Sequence, residues 1–319
     1  MVEPRATAGT RGRFWYVLKL LVLSLRDCLL SRRAHAHKVD FYYPSVVVEL
    51  HDTKDRSILL AGIMDGHLGK AASSEVRDNL PQYFSEELLR GAGTGEKTPI
   101  ETLLQTAWEQ TCDAYGLACK SEDACIAEYD SREGILMANT GSADTAAGTT
   151  TCAVALDKTT GYLAVLNCGD SRGLVIDGEG ELVFKTYDHK PDREIERFAE
   201  GINQGLDYDS PACRMSRWYV PVGDFNYAVS RSLEGPFATS KGIISTPDIS
   251  TLQATAGTTV AVASDGLWEV MDSTEVANIA HRLRFKQNKS AGDAAKTLCS
   301  MALERGSTDN VSVVILYLD

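Results

Sequence analysis

Four short, strongly apolar runs in this chain are each bounded by an aspartate. ILLAGIM precedes Asp65, YLAVLNCG precedes Asp170, TVAVAS precedes Asp265, and NVSVVIL follows Asp309. Runs of this length, flanked by Gly and Asp, read as largely buried strands. SVVVEL (45–50) and SILLAGIMDG (57–66) lie either side of the polar turn HDTKD, which predicts a hairpin. GTTTCAVALD, GYLAVLNCGD, GLVID and ELVFKT (148–186) predict an antiparallel meander, with Asp177-Gly178 as one of its turns. Helix formers fill 70–90 and 98–119, where Leu103, Leu104, Ala107 and Trp108 supply apolar positions. A further helix is expected around 190–200. Later, Asp272 with Glu275 three residues on starts a helix whose Val276, Ile279, Ala280 and Leu283 share a face, and another helix closes at Gly306. Strands in runs and helices in pairs, without strict β-α-β alternation, predict an α+β fold with helices covering a predominantly antiparallel sheet system.

The acids matter because of where they stand. Asp65, Asp170, Asp265 and Asp309 sit at strand ends, and Asp40 ends the segment RRAHAHKV. Carboxylates at the tips of buried strands can converge on one rim although they are far apart in sequence, and converging carboxylates need a cation. Hard oxygen ligands without supporting His or Cys favour Mg²⁺ or Mn²⁺. Gly66 and Gly266 follow two of these acids and permit a positive φ that would present a carbonyl as a further ligand. Taken alone, Asp65-Gly66 also fits a hairpin turn.

Charge and cysteine usage bound the function. Thirty-two basic residues against 44 acidic ones, in 319, give a net charge of -12, the opposite of a nucleic-acid binder. The eight cysteines include no C-x-x-C pair and two sit inside apolar runs, so free, buried thiols in a reducing, cytoplasmic setting are expected. The apolar run FWYVLKLLVLSL (14–25) is too short to cross a bilayer. It is expected as a short helix within an N-terminal segment (1–33), packing on the domain or making a peripheral membrane contact. A signal or anchor and a disordered tail are the alternatives.

Several motifs in order resemble those of the metal-dependent Ser/Thr protein phosphatases of type 2C, the PPM family. Asp65-Gly66-His67-Leu68-Gly69 resembles D-G-H-G-G, GTTTCAVAL resembles the G-S-T-A strand, and Asn167 to Arg172 is similar to N-x-G-D-S-R. Asp188 to Pro191 matches D-H-K-P, Ala228 to Arg231 matches A-V-S-R, Ser264 to Trp268 matches S-D-G-L-W, and Asp309-Asn310 matches the terminal D-N. The resemblance runs from about residue 34 to the end and implies a single PPM-type domain over 34–319. It implies an αββα sandwich: two antiparallel sheets flanked by pairs of antiparallel helices, with a metal centre at one edge. It also implies a monomer that acts on phosphorylated protein substrates through water activated by two Mg²⁺ or Mn²⁺ ions.

Carried over by position, the resemblance has Asp65 bridge the ions, the Gly66 carbonyl complete one, and Asp265 and Asp309 hold the other. Asp40 would orient metal-bound water, Asp170 with Asp265 would form a weaker third metal position, and His67 would protonate the leaving alkoxide as general acid. Ser171, Arg172, Ser230 and Arg231 are expected to fix loops and sheet ends.

The pattern also breaks. Val39 replaces the glutamate of the family's E-D pair, and His35 stands where the phosphate-gripping arginine belongs. Arg33, two residues back on the same face of a strand, would recover that contact, with His35 assisting. Leu68 replaces a glycine, Glu269 an aspartate, and L-G-D has become Leu233-Glu234-Gly235. The alternative function is accordingly an impaired, phosphatase-like binding or regulatory module.

Overall fold

The strand Ser57–His67 organises the molecule. Its even positions Ile58, Leu60 and Met64 pack with one set of apolar side chains, and its odd positions Leu59, Ala61 and Ile63 pack with another. This period-two division is what a strand buried on both faces requires, and it explains an apolar run without alternation. In this computed structural model the described residues are 23–24, 45–52, 56–94, 97–121, 127–130, 135–138, 147–193, 219–222 and 225–319.

The strands are β1 (Leu23–Ser24), β2 (Ser45–His51), β3 (Ser57–His67), β4 (Ala127–Asp130), β5 (Ile135–Ala138), β6 (Gly148–Asp157) and β7 (Tyr162–Cys168). They continue with β8 (Arg172–Ile176), β9 (Leu182–Lys185), β10 (Val220–Val222), β11 (Phe225–Tyr227), β12 (Asp248–Gln253), β13 (Thr259–Ala263) and β14 (Ser312–Tyr317). The helices are α1 (Ala71–Thr94), α2 (Ile100–Ser121), α3 (Pro236–Ser240), α4 (Asp265–Trp268), α5 (Ser273–His281) and α6 (Ala291–Glu304). One sheet has the order β12-β7-β6-β3-β2 and the other β1-β14-β13-β8-β9. Every neighbouring pair in both sheets is antiparallel.

Three apolar layers hold the sandwich. Leu80 and Phe84 of α1 and Leu104 and Trp108 of α2 cover the outer face of the first sheet. Leu174, Ala261 and Ile315 face Val276 of α5 and Leu298 of α6 on the outside of the second. Between the sheets, Leu59, Ala61 and Ile63 meet Val175, Val262 and Val314. The expected α+β sandwich is therefore the fold. The two C-terminal helices start and stop as their sequence requires. Asp272 accepts from the Glu275 amide at 2.9 Å, and Gly306, at φ +90°, lets the Ser307 amide reach the Ala302 carbonyl.

Some local expectations change. The predicted meander is divided between sheets: β6 and β7 pair in the first, β8 and β9 in the second. The chain crosses between them at Gly169-Asp170-Ser171, and Gly169 makes the crossing at φ +122°. Asp65-Gly66 is not a hairpin turn, because β3 continues through both and pairs them with Thr150 and Thr149. Of the helix expected around 190–200, Pro191–Arg193 form a single 3₁₀ turn and the remainder lies outside the described residues. Leu23 and Ser24, expected at the end of an apolar helix, instead pair with Val313 and Ser312 at the edge of the second sheet. The rest of that run lies outside the described residues, among which no helix is long and apolar enough to cross a membrane.

Candidate active site

The parity that sends Leu59, Ala61 and Ile63 inward continues to Asp65 and His67, which places both at the rim between the sheets. Asp170 stands at the crossing from β7 to β8. Asp265 begins α4 directly after β13, and Asp309 precedes β14, so these two acids come from the second sheet's side. All four aspartates and His67 line one pocket of about 250 Å³, together with Gly66, Leu68, Thr150 and Tyr227. Of the residues expected at the site, Arg33, His35 and Asp40 lie outside the described residues.

Close packing without Cβ atoms builds the rim. At Gly169 a Cβ would stand 2.4 Å from Cβ of Thr150, so only glycine lets the crossing lie on β6. Asn167 fixes the same turn by donating to the carbonyls of Gly169 at 3.0 Å and Tyr187 at 2.9 Å. At Gly266 a Cβ would stand 2.3 Å from the Asn310 carbonyl oxygen, which holds the start of α4 against the segment bearing Asp309. Neither Gly66 nor Gly266 has a positive φ. The Gly266 carbonyl, expected as a further ligand, accepts from Ser307 Oγ at 2.7 Å instead. The left-handed conformation falls to Leu68, at φ +57°. That conformation costs a side-chain-bearing residue roughly 1–2 kcal/mol. Leu68 packs on the apolar cluster that includes Val220, Val222 and Val229.

The acids are crowded. Burial, then the charges of Asp265 and Asp170, push the Asp65 carboxyl well above the usual aspartate range. Burial and the charges of Asp170 and Asp309 push Asp265 up to about 7. The carboxyls of Asp65 and Asp265 lie within hydrogen-bonding reach of each other, and Asp265 Oδ1 is buried without a hydrogen-bond partner. Among the described residues no three His, Cys, Asp or Glu side chains close on one point as a finished metal cage would. An orphaned buried oxygen in an all-oxygen cluster of mutually repelling acids nevertheless fits a hard divalent cation.

Two partners in this site have no role in the expectations from sequence. Lys190 Nζ donates to Asp170 Oδ2 at 3.0 Å, so the acid expected at a third metal position is already ion-paired. Its signal lay in the D-H-K-P motif. Glu234, noted in the sequence only as a departure from L-G-D, is buried and contacts His67 Nε2 at 2.5 Å. Burial lowers the proton affinity of His67, but the charge and hydrogen bond of Glu234 outweigh it and hold the imidazole above the usual histidine range.

Arg172 and Arg231 serve structure, as expected. Arg172 grips Asp188 with two nitrogens at 2.9 and 2.6 Å, donates to Ser273 Oγ at 2.8 Å and lies over the Trp268 ring. Arg231 donates to the Thr246 carbonyl and to Asp248, both at 3.1 Å.

Known proteins resemble this chain in sequence and fold. The family model described as Protein phosphatase 2C matches residues 56–311. "Probable protein phosphatase 2C 32" of rice (Oryza sativa subsp. japonica) is 28% identical over 83% of this chain, which spans 59% of that relative's length. "Probable protein phosphatase 2C 41" of rice is 30% identical over 90% of this chain and 85% of its own. The crystal structure of a serine-threonine phosphatase 2C from Toxoplasma gondii shares the fold. Its TM-score is 0.58 and its identity 19%, with 88% of this chain and 95% of that one covered. The matched span contains both sheets' acids, His67 and the crossing between them, and this chain belongs to the protein phosphatase 2C family.

Proposed function

We propose that the chain is a catalytically competent, metal-dependent phosphatase that hydrolyses phosphoserine and phosphothreonine in proteins. The observation that carries this reading is the meeting of Asp65, Asp170, Asp265, Asp309 and His67 in one pocket, with Asp265 Oδ1 left unpartnered. The family is generally dependent on Mg²⁺ or Mn²⁺. Here Asp65, the Gly66 carbonyl, Asp265 and Asp309 would hold two ions, with Asp40 acting through water and Asp170 offering a weaker third position. When bound, the ions supply water activation and offset the charge of the phosphate dianion. His67 protonates the leaving seryl or threonyl oxygen, and Arg33 with His35 grips the phosphate. A scaffold that only bound partners would gain nothing from burying these acids together.

The test is turnover of a phosphothreonine peptide by the full chain. Activity is expected only with added Mn²⁺ or Mg²⁺ and should be lost in Asp265→Asn. Turnover that persists in chelator would overturn metal dependence. A folded protein inert at millimolar metal would instead support the binding-module alternative.

A further inference from the structure

We infer that Glu234 is the positioning residue that fixes His67 for proton transfer, by holding Nε2 of the imidazole and leaving Nδ1 as the working nitrogen. This rests on the phosphatase reading above and deepens it. Glu234 follows Leu233, which forms an isolated antiparallel bridge with Thr149 through bonds of 2.9 and 3.0 Å. The bridge places the Glu234 side chain over β6 at Gly148, and Gly148 is the residue paired with His67 in the β3–β6 register. A Cβ at Gly148 would lie 2.2 Å from both carboxylate oxygens of Glu234. The carboxylate thus reaches His67 through the space that a side chain on β6 would have filled.

The carboxylate is itself fixed. Ser232 Oγ donates to Oε1 at 2.5 Å, the same oxygen that meets His67 Nε2, and the Tyr227 hydroxyl lies 3.5 Å from Oε2. Tyr227 also stands edge-on to the imidazole at 5.4 Å between centroids. A carboxylate accepts but does not donate, so the contact requires a proton on Nε2. In the transfer, the Nδ1 proton passes to the leaving oxygen as the P–O bond breaks. Imidazolium becomes neutral imidazole, and the Nε2 proton stays on Glu234's side. A carboxylate that holds one ring nitrogen so that the other can exchange protons sets both tautomer and ring orientation.

Two substrates and two variants separate this role from a structural one. A phosphothreonine peptide leaves as an alkoxide and needs the proton, whereas p-nitrophenyl phosphate leaves as a stable phenolate and does not. Glu234→Gln should lower kcat on the peptide by about 10²-fold with KM retained, and leave p-nitrophenyl phosphate turnover nearly unchanged. Gly148→Ala, at a φ open to alanine, keeps the charge but displaces the carboxylate, so it should reproduce the selective loss. The double variant should be no worse than Glu234→Gln alone.

Equal losses on both substrates, or no loss on either, would overturn the role. A separate readout needs no turnover: the imidazole ¹⁵N shifts of His67 in the metal-free protein. At a pH high enough to make the imidazole neutral, Nε2 should keep its proton and Nδ1 be pyridine-like in the wild type, with a tautomer mixture in Glu234→Gln. If the wild type hydrolyses neither substrate, the phosphatase reading fails, while an unchanged tautomer in the variant overturns the positioning of His67 independently.

Discussion

Asp265 shows what a buried acid costs before its cation arrives. With its pKa held at about 7 against an ordinary 3.8, it stays protonated in the folded chain while its unfolded counterpart ionises. Between those values the folded state binds more protons than the unfolded one, so metal-free stability falls as pH rises from about 4 to about 7. Removing the charge removes the penalty. Metal-free Asp265→Asn should therefore be more stable than the metal-free wild type at pH 8, by on the order of 1–4 kcal/mol, the upper figure being the full shift converted. The difference should shrink as pH approaches 4, and added Mn²⁺ should reverse the ranking. Denaturant titrations in chelator and in Mn²⁺ measure both, and a variant less stable than the wild type in chelator would refute the account. The neighbouring Asp170 is ion-paired with Lys190 at 3.0 Å.

Elements bring these acids together through places where a side chain is missing. Gly266 is the second residue of a four-residue helix whose backbone rests on the Asn310 carbonyl. Its φ is not positive, so alanine is excluded by contact rather than by conformation. Gly266→Ala must push α4 away from the segment before β14, at a cost of about 1–3 kcal/mol for overpacking. That displacement separates Asp265 from Asp309, so the rise in melting temperature caused by Mn²⁺ should also diminish. Unaltered stability together with an unaltered Mn²⁺ response would show that the contact does not set the acids' spacing. The motif residues at this place were legible in the sequence as S-D-G-L-W and D-N. That Gly266 is needed for close approach was not, because the atom it avoids lies on a distant segment.

Across the whole molecule, the pocket joins the two sheets. Asp65 belongs to β3 of one, whereas Asp265 and Asp309 flank β13 and β14 of the other. A cation held by all three would link the layers, so binding should raise the free energy of global opening rather than that of one loop. Amide exchange in the cores of β3 and β13 should slow together on adding Mn²⁺, and slowing confined to one sheet would argue against a shared site. By itself the sequence determined the strand runs, the capped helices, the α+β class and the acids at strand ends, because period, caps and turn residues act over a few positions. Only the tertiary structure decided that β7 and β8 part into different sheets. A strand's hydrogen bonds are satisfied equally well in either sheet, and the packing at Gly169 and Thr150 selects between them. The same holds for Glu234 and His67, 167 positions apart, whose contact exists because strand register sets Gly148 opposite the histidine and leaves room for a carboxylate.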